Sequence, residues 1–220
     1  MDLEYGQLLM CATRIPTKAK SSRRKPLDPR KPPTQTRSTE TVNAVLEAAA
    51  RILEQHGFEG YTTNAIAERA GVSIGSLYQY FPSKDAVTVA LIERECALLL
   101  ANMAQAESIV NRRSAINHLI GAAVAHQMRR PRLARLLDFE EGRLTISPRI
   151  RPVSDEIHRT VLRVLTRPDA PYRSNMNEAV LDLFAIVKGI VNAAGQREEQ
   201  DAQQLEKRVQ RAVYGYLGSG

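Results

Sequence analysis

The sequence predicts an all-α protein: a small N-terminal three-helix unit containing a helix-turn-helix, joined by a linking helix to a larger helical domain. Three observations carry that expectation. From Ser38 onward apolar residues recur at three- and four-residue spacing, and no stretch alternates apolar and polar residues well enough for a strand. Pro131, Pro148, Pro152, Pro168 and Pro171 cut the second half into helical lengths. Between Thr62 and Ser83, three hydroxyl residues stand where they would cap helices. They define two helices too short to be stable without packing.

Residues 1–37 come before any helical pattern. They are rich in Pro, Lys, Arg, Ser and Thr, and cannot bury enough apolar surface to offset the entropy of ordering. The chain of 220 residues carries a formal charge of +7, and the distribution of that charge is informative. From Arg14 to Arg37 there are nine basic residues and one acid, Asp28, whereas from Ser38 onward 22 basic residues face 21 acidic ones. The segment therefore reads either as a solvated tail or as a basic arm. As an arm, Arg23, Arg24, Lys25, Arg30, Lys31 and Arg37 would track DNA phosphates or enter a minor groove.

The first helix is predicted from about Ser38, with Val42, Val45, Leu46, Ala49, Ile52 and Leu53 on one stripe and Gly57 as its stop. A second helix is expected from about Thr63 to Ala70 and a third from Ile74 to Phe81, capped by Thr62 and Ser73. Ile66, Ala67, Ala70, Val72, Leu77 and Phe81 would form their shared core. Gly71 would supply the positive φ of the tight turn between them. That is a helix-turn-helix arrangement. A longer fourth helix, capped by Ser83, should run to roughly Ala106.

With Leu77 and Phe81 inward, the third helix turns Gly75, Ser76, Gln79 and part of Tyr78 outward. Gln79 can bond adenine through two contacts, and Ser76 can reach several base edges. Gly75 allows close backbone approach, while Tyr78 and Tyr80 offer hydroxyls to phosphates. Lys84 places a cation at a helix start, against the helix dipole, where it makes sense as a phosphate contact. Thr62, Thr63 and Ser73 complete the expected DNA-binding set.

The stretch "AAARILEQHGFEGYTTNAIAERAGVSIGSLYQYFPSKDAV", Ala48 to Val87, resembles the DNA-binding domain of the tetracycline-repressor (TetR) family of bacterial transcriptional regulators. Thr62, Ile66, Ala67, Gly71, Val72, Ser73, Leu77, Tyr78, Tyr80, Phe81 and Lys84 fall in the family's pattern. Position 74, often basic in the family, is Ile74, so no phosphate contact is assigned there, and the basic arm is unusually long. Composition sets the arm at 1–37 apart, and the resemblance implies a DNA-binding domain at 38–85 and an effector-binding and dimerisation domain at 86–217. It implies a homodimer on a near-palindromic double-stranded DNA operator, released from it when a small-molecule effector moves the fourth helix.

In the larger domain, Met176, Val180, Leu183, Val187 and Ile190 form one stripe and Val209 and Val213 another. Leu181, Ala185 and Ile186 make the middle of the first helix apolar on its other side as well. With the family resemblance this pair of helices is the expected dimer interface. His118, His126, Phe139, Arg143 and Phe184 lie in the helices where the family keeps its effector pocket. His118 and His126 are eight residues apart with no further ligand at suitable spacing, so no metal site is expected. Glu140 and Arg143, three apart, read as an ion pair.

Other function classes are weaker. No nucleophile–base pair, metal set or phosphate loop points to an enzyme, and no cofactor is expected. A protein binding DNA without sequence preference through its arm is the main alternative. Cys11 and Cys96 lie in unlike surroundings, which argues against a disulfide. No run approaches the ~20 apolar residues of a membrane span, and "LLMCA" is too short for a signal core. A cytoplasmic protein without a membrane partner is the expectation.

Overall fold

The computed structural model describes residues 36–144, 148–167 and 175–218. The arm candidates Arg23, Arg24, Lys25, Arg30 and Lys31 lie outside these residues, as do the Arg37 side chain, Cys11, Pro168 and Pro171. The described chain is built from helices α1 (Thr36–Gly60), α2 (Thr63–Arg69), α3 (Ile74–Tyr80) and α4 (Lys84–Met103). After a 3₁₀ turn at Ala104–Ser108 come α5 (Arg112–Arg129), α6 (Pro131–Leu144), α7 (Ile150–Leu165), α8 (Met176–Gln196) and α9 (Ala202–Gly218). Among the described residues there is no strand.

The local signals act where they were expected. Gly57 adopts φ 61° and breaks α1, so the last turn to Gly60 continues in a new direction. Gly71 adopts φ 68° in the turn between α2 and α3. A residue with a Cβ pays a steric penalty at either angle. The Thr62, Ser73 and Ser83 hydroxyls accept from the backbone N–H groups of Ala65, Ser76 and Ala86 respectively. Asn111 and Asn175 cap α5 and α8 in the same way, and Pro131 opens α6, where its missing N–H is harmless.

Two apolar cores form. The first gathers Leu46, Leu53, Ile66, Leu77, Phe81 and Leu91 from α1 to α4. It does not stop at residue 85: Leu133, Leu137 and Leu144 of α6 and Ile150 of α7 are buried in the same cluster. Each such side chain contributes about 1.5–3 kcal/mol when fully buried, so α6 is a structural layer of the N-terminal unit. The second core lies among α5, α7, α8 and α9, around Ile116, Ile120, Val164, Leu183, Val191, Leu205 and Val209.

Four of the seven residues expected at a dimer surface lie inside this second core. Val180, Leu183, Val209 and Val213 are buried, and Met176, Val187 and Ile190 pack half-buried against it. The physical reason is that α8 and α9 pack on each other and on α5, which satisfies their main stripes within one chain. The outward line of α8 is instead the other apolar side, with Leu181 and Ala185 exposed.

Ionic contacts fasten the two halves together. Arg130, between α5 and α6, donates through Nε to Glu54 of α1 at 2.7 Å and through Nη1 to Glu47 at 3.0 Å. Burial alone would raise the Glu47 carboxyl, but hydrogen bonds and charge from Arg51, Arg130 and Arg94 outweigh it and hold its pKa below the ordinary value. At the other end of α6, Arg143 bonds Asp85 of α4 at 2.7 Å and also pairs with Glu140.

Candidate nucleic-acid interface

The site is assembled from the start of α2, the outer side of α3 and the first turn of α4. Leu77 is fully buried and Phe81 nearly so, which fixes the rotation of α3. Gly75, Tyr78 and Gln79 are consequently exposed, while Ser76 and Tyr80 are half-buried. Tyr80 packs on the first core, so its ring is shared between packing and surface.

Several hydroxyls are held before any ligand arrives. The Tyr78 hydroxyl lies 3.1 Å from Thr63 Oγ1, tying α3 to the start of α2. Ser73 Oγ and Ser76 Oγ are 2.8 Å apart, while Ser73 also accepts from the Ser76 N–H at 3.0 Å. Thr62 accepts from the Ala65 N–H at 3.2 Å. A hydroxyl has one proton and two lone pairs, so capping leaves the Thr62 O–H free to donate to a phosphate oxygen. The Gln79 side-chain amide makes no intramolecular hydrogen bond among the described residues.

Lys84 projects from the first residue of α4, exposed, with its Nζ 5.8 Å from the centre of the Tyr61 ring. That ring is buried, its hydroxyl is 3.2 Å from Thr88 Oγ1, and Thr88 donates to the Lys84 carbonyl at 3.1 Å. Burial pushes the Tyr61 phenol well above its ordinary value, so it stays protonated. A cation over an aromatic face has its stem steadied without its charge being neutralised.

The DNA-facing unit is itself acidic, although the chain from Ser38 onward is close to balanced. From residue 38 to 92 there are three basic side chains, Arg51, Arg69 and Lys84, against six acidic ones. Three of those acids, Glu47, Glu54 and Asp85, pair with Arg94, Arg130 and Arg143, which come later in the chain. Local acids therefore weaken attraction to a polyanion less than the count suggests.

The residues expected in an effector pocket fall in four places. Phe139 and Arg143 line a hollow of about 450 Å³ with Phe58, Tyr61, Lys84, Asp85, Thr88 and Glu140, between α6 and the DNA-facing unit. Phe139 is 71% exposed there and packs against Phe58. His118 Nε2 is 2.9 Å from the Asn102 carbonyl at the end of α4, and Phe184 stacks on His158 with centroids 4.1 Å apart. His126 is largely buried, and burial lowers its pKa from the ordinary 6.5 against the opposing charge of Glu95. Cys96 is a free thiol that burial pushes up to about 12. Among the described residues no group of three or more His, Cys, Asp and Glu could hold a metal ion, and no helix is long and apolar enough to cross a membrane.

A short capped helix held across a tight turn against a second one, whose outer side is open and polar, is the geometry of a helix-turn-helix protein. Residues 45–91 match the family model of bacterial regulatory proteins of the tetR family, and residues 113–217 match that of the tetracyclin repressor-like C-terminal domain. The chain belongs to the TetR family. Among curated proteins it is 43% identical over 51 residues to the HTH-type transcriptional repressor KstR of Mycolicibacterium smegmatis. It is also 43% identical over 58 residues to the HTH-type transcriptional regulator RutR of Escherichia coli K12. These stretches cover 23% and 26% of this chain and 25% and 27% of the relatives, so the similarity spans about a quarter of their length. Among solved structures, the fatty acid degradation regulator FadR from Bacillus halodurans aligns with TM-score 0.68 and 18% identity, over 81% of this chain and 95% of that one. A TetR-family transcriptional regulator from Streptomyces coelicolor aligns with TM-score 0.61 and 18% identity, over 81% and 98%. At such identities they show a shared fold.

Proposed function

We propose that the chain is a sequence-specific DNA-binding transcriptional regulator that acts in the cytoplasm as a homodimer. Each protomer lays α3 in a major groove of a near-palindromic operator. Gln79 and Ser76 face base edges; Thr62, Thr63, Tyr78, Tyr80 and Lys84 face phosphates. A small-molecule effector in the C-terminal half releases the DNA by shifting α4 and α6 against the two α3 helices. The observation that carries this reading is the outer side of α3: an unpartnered Gln79 amide beside Gly75 and Tyr78, on a helix whose rotation Leu77 and Phe81 fix from inside. The exposed line of α8 through Leu181 and Ala185 is the surface best suited to a second copy.

The test is selection of binding sites from a random DNA pool by the purified full-length protein. An inverted repeat with half-sites about one helical turn apart supports a dimeric reader. Enrichment of A·T-rich DNA without symmetry refutes it in favour of non-specific binding through the basic arm. The two also separate on removal of residues 1–37. A sequence reader keeps its operator preference while its salt dependence becomes shallower, whereas an arm-driven binder loses its affinity.

A further inference from the structure

Ile74 has no part in the interface described so far. It is the first residue of α3 and is 39% exposed, yet it is not among the side chains packed on either core. Leu77, Phe81 and the half-buried Tyr80 do that packing. A β-branched side chain brings no benefit to a helix start, and its exposed surface is unfavourable in water.

The surroundings indicate what it meets. Tyr78 stands one turn on, on the same side of α3, 38% exposed and tied through its hydroxyl to Thr63. Ile74 and the Tyr78 ring thus form a short apolar strip at the leading end of the helix. A side chain at Gly75 beside it would meet only Ser73 Oγ, in ordinary contact at 3.8 Å, and with none there the backbone can approach closely. The first residues of a reading helix are those that reach base edges. On the major-groove floor those edges present polar atoms, with one apolar exception: the C5-methyl group of thymine. An exposed isoleucine meets any other edge at a loss and that methyl at a gain. The exposed Gln79 amide has the donor and acceptor that adenine N7 and N6 require.

Resting on the DNA-reading function proposed above, we infer that Ile74 is a specificity-determining residue that packs on the C5-methyl group of one thymine in each operator half-site. Ile74 and Gln79 together give α3 a preference for A·T pairs at two separate positions of the half-site.

The experiment uses the full-length protein and its selected operator, with each thymine replaced singly, and symmetrically in both half-sites, by uracil. Uracil pairs identically and lacks only the methyl group. The wild-type protein loses about three- to fivefold per half-site at one thymine, as one buried methyl group implies. Ile74→Ala binds the thymine operator more weakly by a similar factor and is insensitive to uracil at that position. Ile74→Val, with two methyl groups left, retains part of the sensitivity. Both variants keep the wild-type melting temperature within about 2 °C, since the side chain is outside the core. If wild type is indifferent to uracil everywhere, or Ile74→Ala keeps full sensitivity, the assignment falls while a symmetric operator preserves the DNA-reading function. A protein that enriches no operator overturns both.

Discussion

Replacing Arg130 by methionine tests whether α6 is fastened to the DNA-facing unit. The Arg130 side chain is 17% exposed and forks onto Glu54, with a third bond to Glu47. Its pKa lies above the ordinary value, chiefly because of the hydrogen bonds to Glu54. Methionine keeps the apolar stem and removes the charge, leaving the Glu54 carboxylate without its arginine. Hydrogen bonds to charged groups contribute about 1.5–3 kcal/mol, and exposed ion pairs about 0.2–1 kcal/mol. Glu54 and Glu47 side chains are 26% and 41% exposed, which places the loss at the lower end of the first range, about 1.5–2 kcal/mol. For a chain of this size each kcal/mol lowers the melting temperature by about 2–4 °C, giving a drop of about 3–8 °C. Differential scanning calorimetry of wild type, Arg130→Met, Glu54→Gln and the double variant closes the cycle. Glu54→Gln should lose less than Arg130→Met, because the bond to Glu47 survives, and the double should lose little more than Arg130→Met. A melting temperature within about 1 °C of wild type for Arg130→Met, or strictly additive losses, would refute the clasp.

Four further outcomes follow from the structure. Lys84→Ala should weaken binding to all DNA and reduce the salt slope by about one per protomer. Gln79→Ala should relax preference at one base position by about 1–3 kcal/mol in a competition assay and leave the slope alone. Leu77→Ala, at a fully buried position, should cost about 2–5 kcal/mol of stability in denaturant unfolding and abolish operator binding along with it. Burial holds the folded-state pKa of His126 below 6.5, whereas the unfolded chain takes up the proton near that pH. Stability from this residue is therefore complete above about 6.5 and is lost as pH falls through the folded value. Melting curves from pH 7.5 to 5.5 should decline more steeply for wild type than for His126→Gln. Parallel curves would rule out this titration.

What could be read from the chain alone was mostly local. A cap requires one hydroxyl at one position, so Thr62, Ser73 and Ser83 announced three helix starts. Gly57 and Gly71 announced two turns because no other residue adopts their φ readily. Leu77 and Phe81 fixed the rotation of α3, which made its outer side legible as well. Long-range pairings left no such trace. Nothing near Arg130 shows that its partner Glu54 is 76 positions away, and nothing in the pattern of Leu133 and Leu137 shows which core they join. In α8 both sides are apolar, so periodicity could not say which side faces inward. Val180 and Leu183 proved to be the inner one. Phe139 and Arg143 were expected with His118 and Phe184, but rotation of α6 turned them towards Tyr61 and Asp85 instead.

The membership of α6 in the first core also bears on recombination. A cut after Ser83, at the visible junction between reading head and linking helix, would separate Leu46 and Leu53 from the Leu133, Leu137 and Leu144 side chains that share their core. Grafting this head onto a foreign sensor therefore means transplanting two non-contiguous pieces, or redesigning the acceptor's equivalent of α6 and the residue before it to supply three leucines and two arginines. The unit that can be exchanged between relatives is defined in space and is discontinuous along the gene.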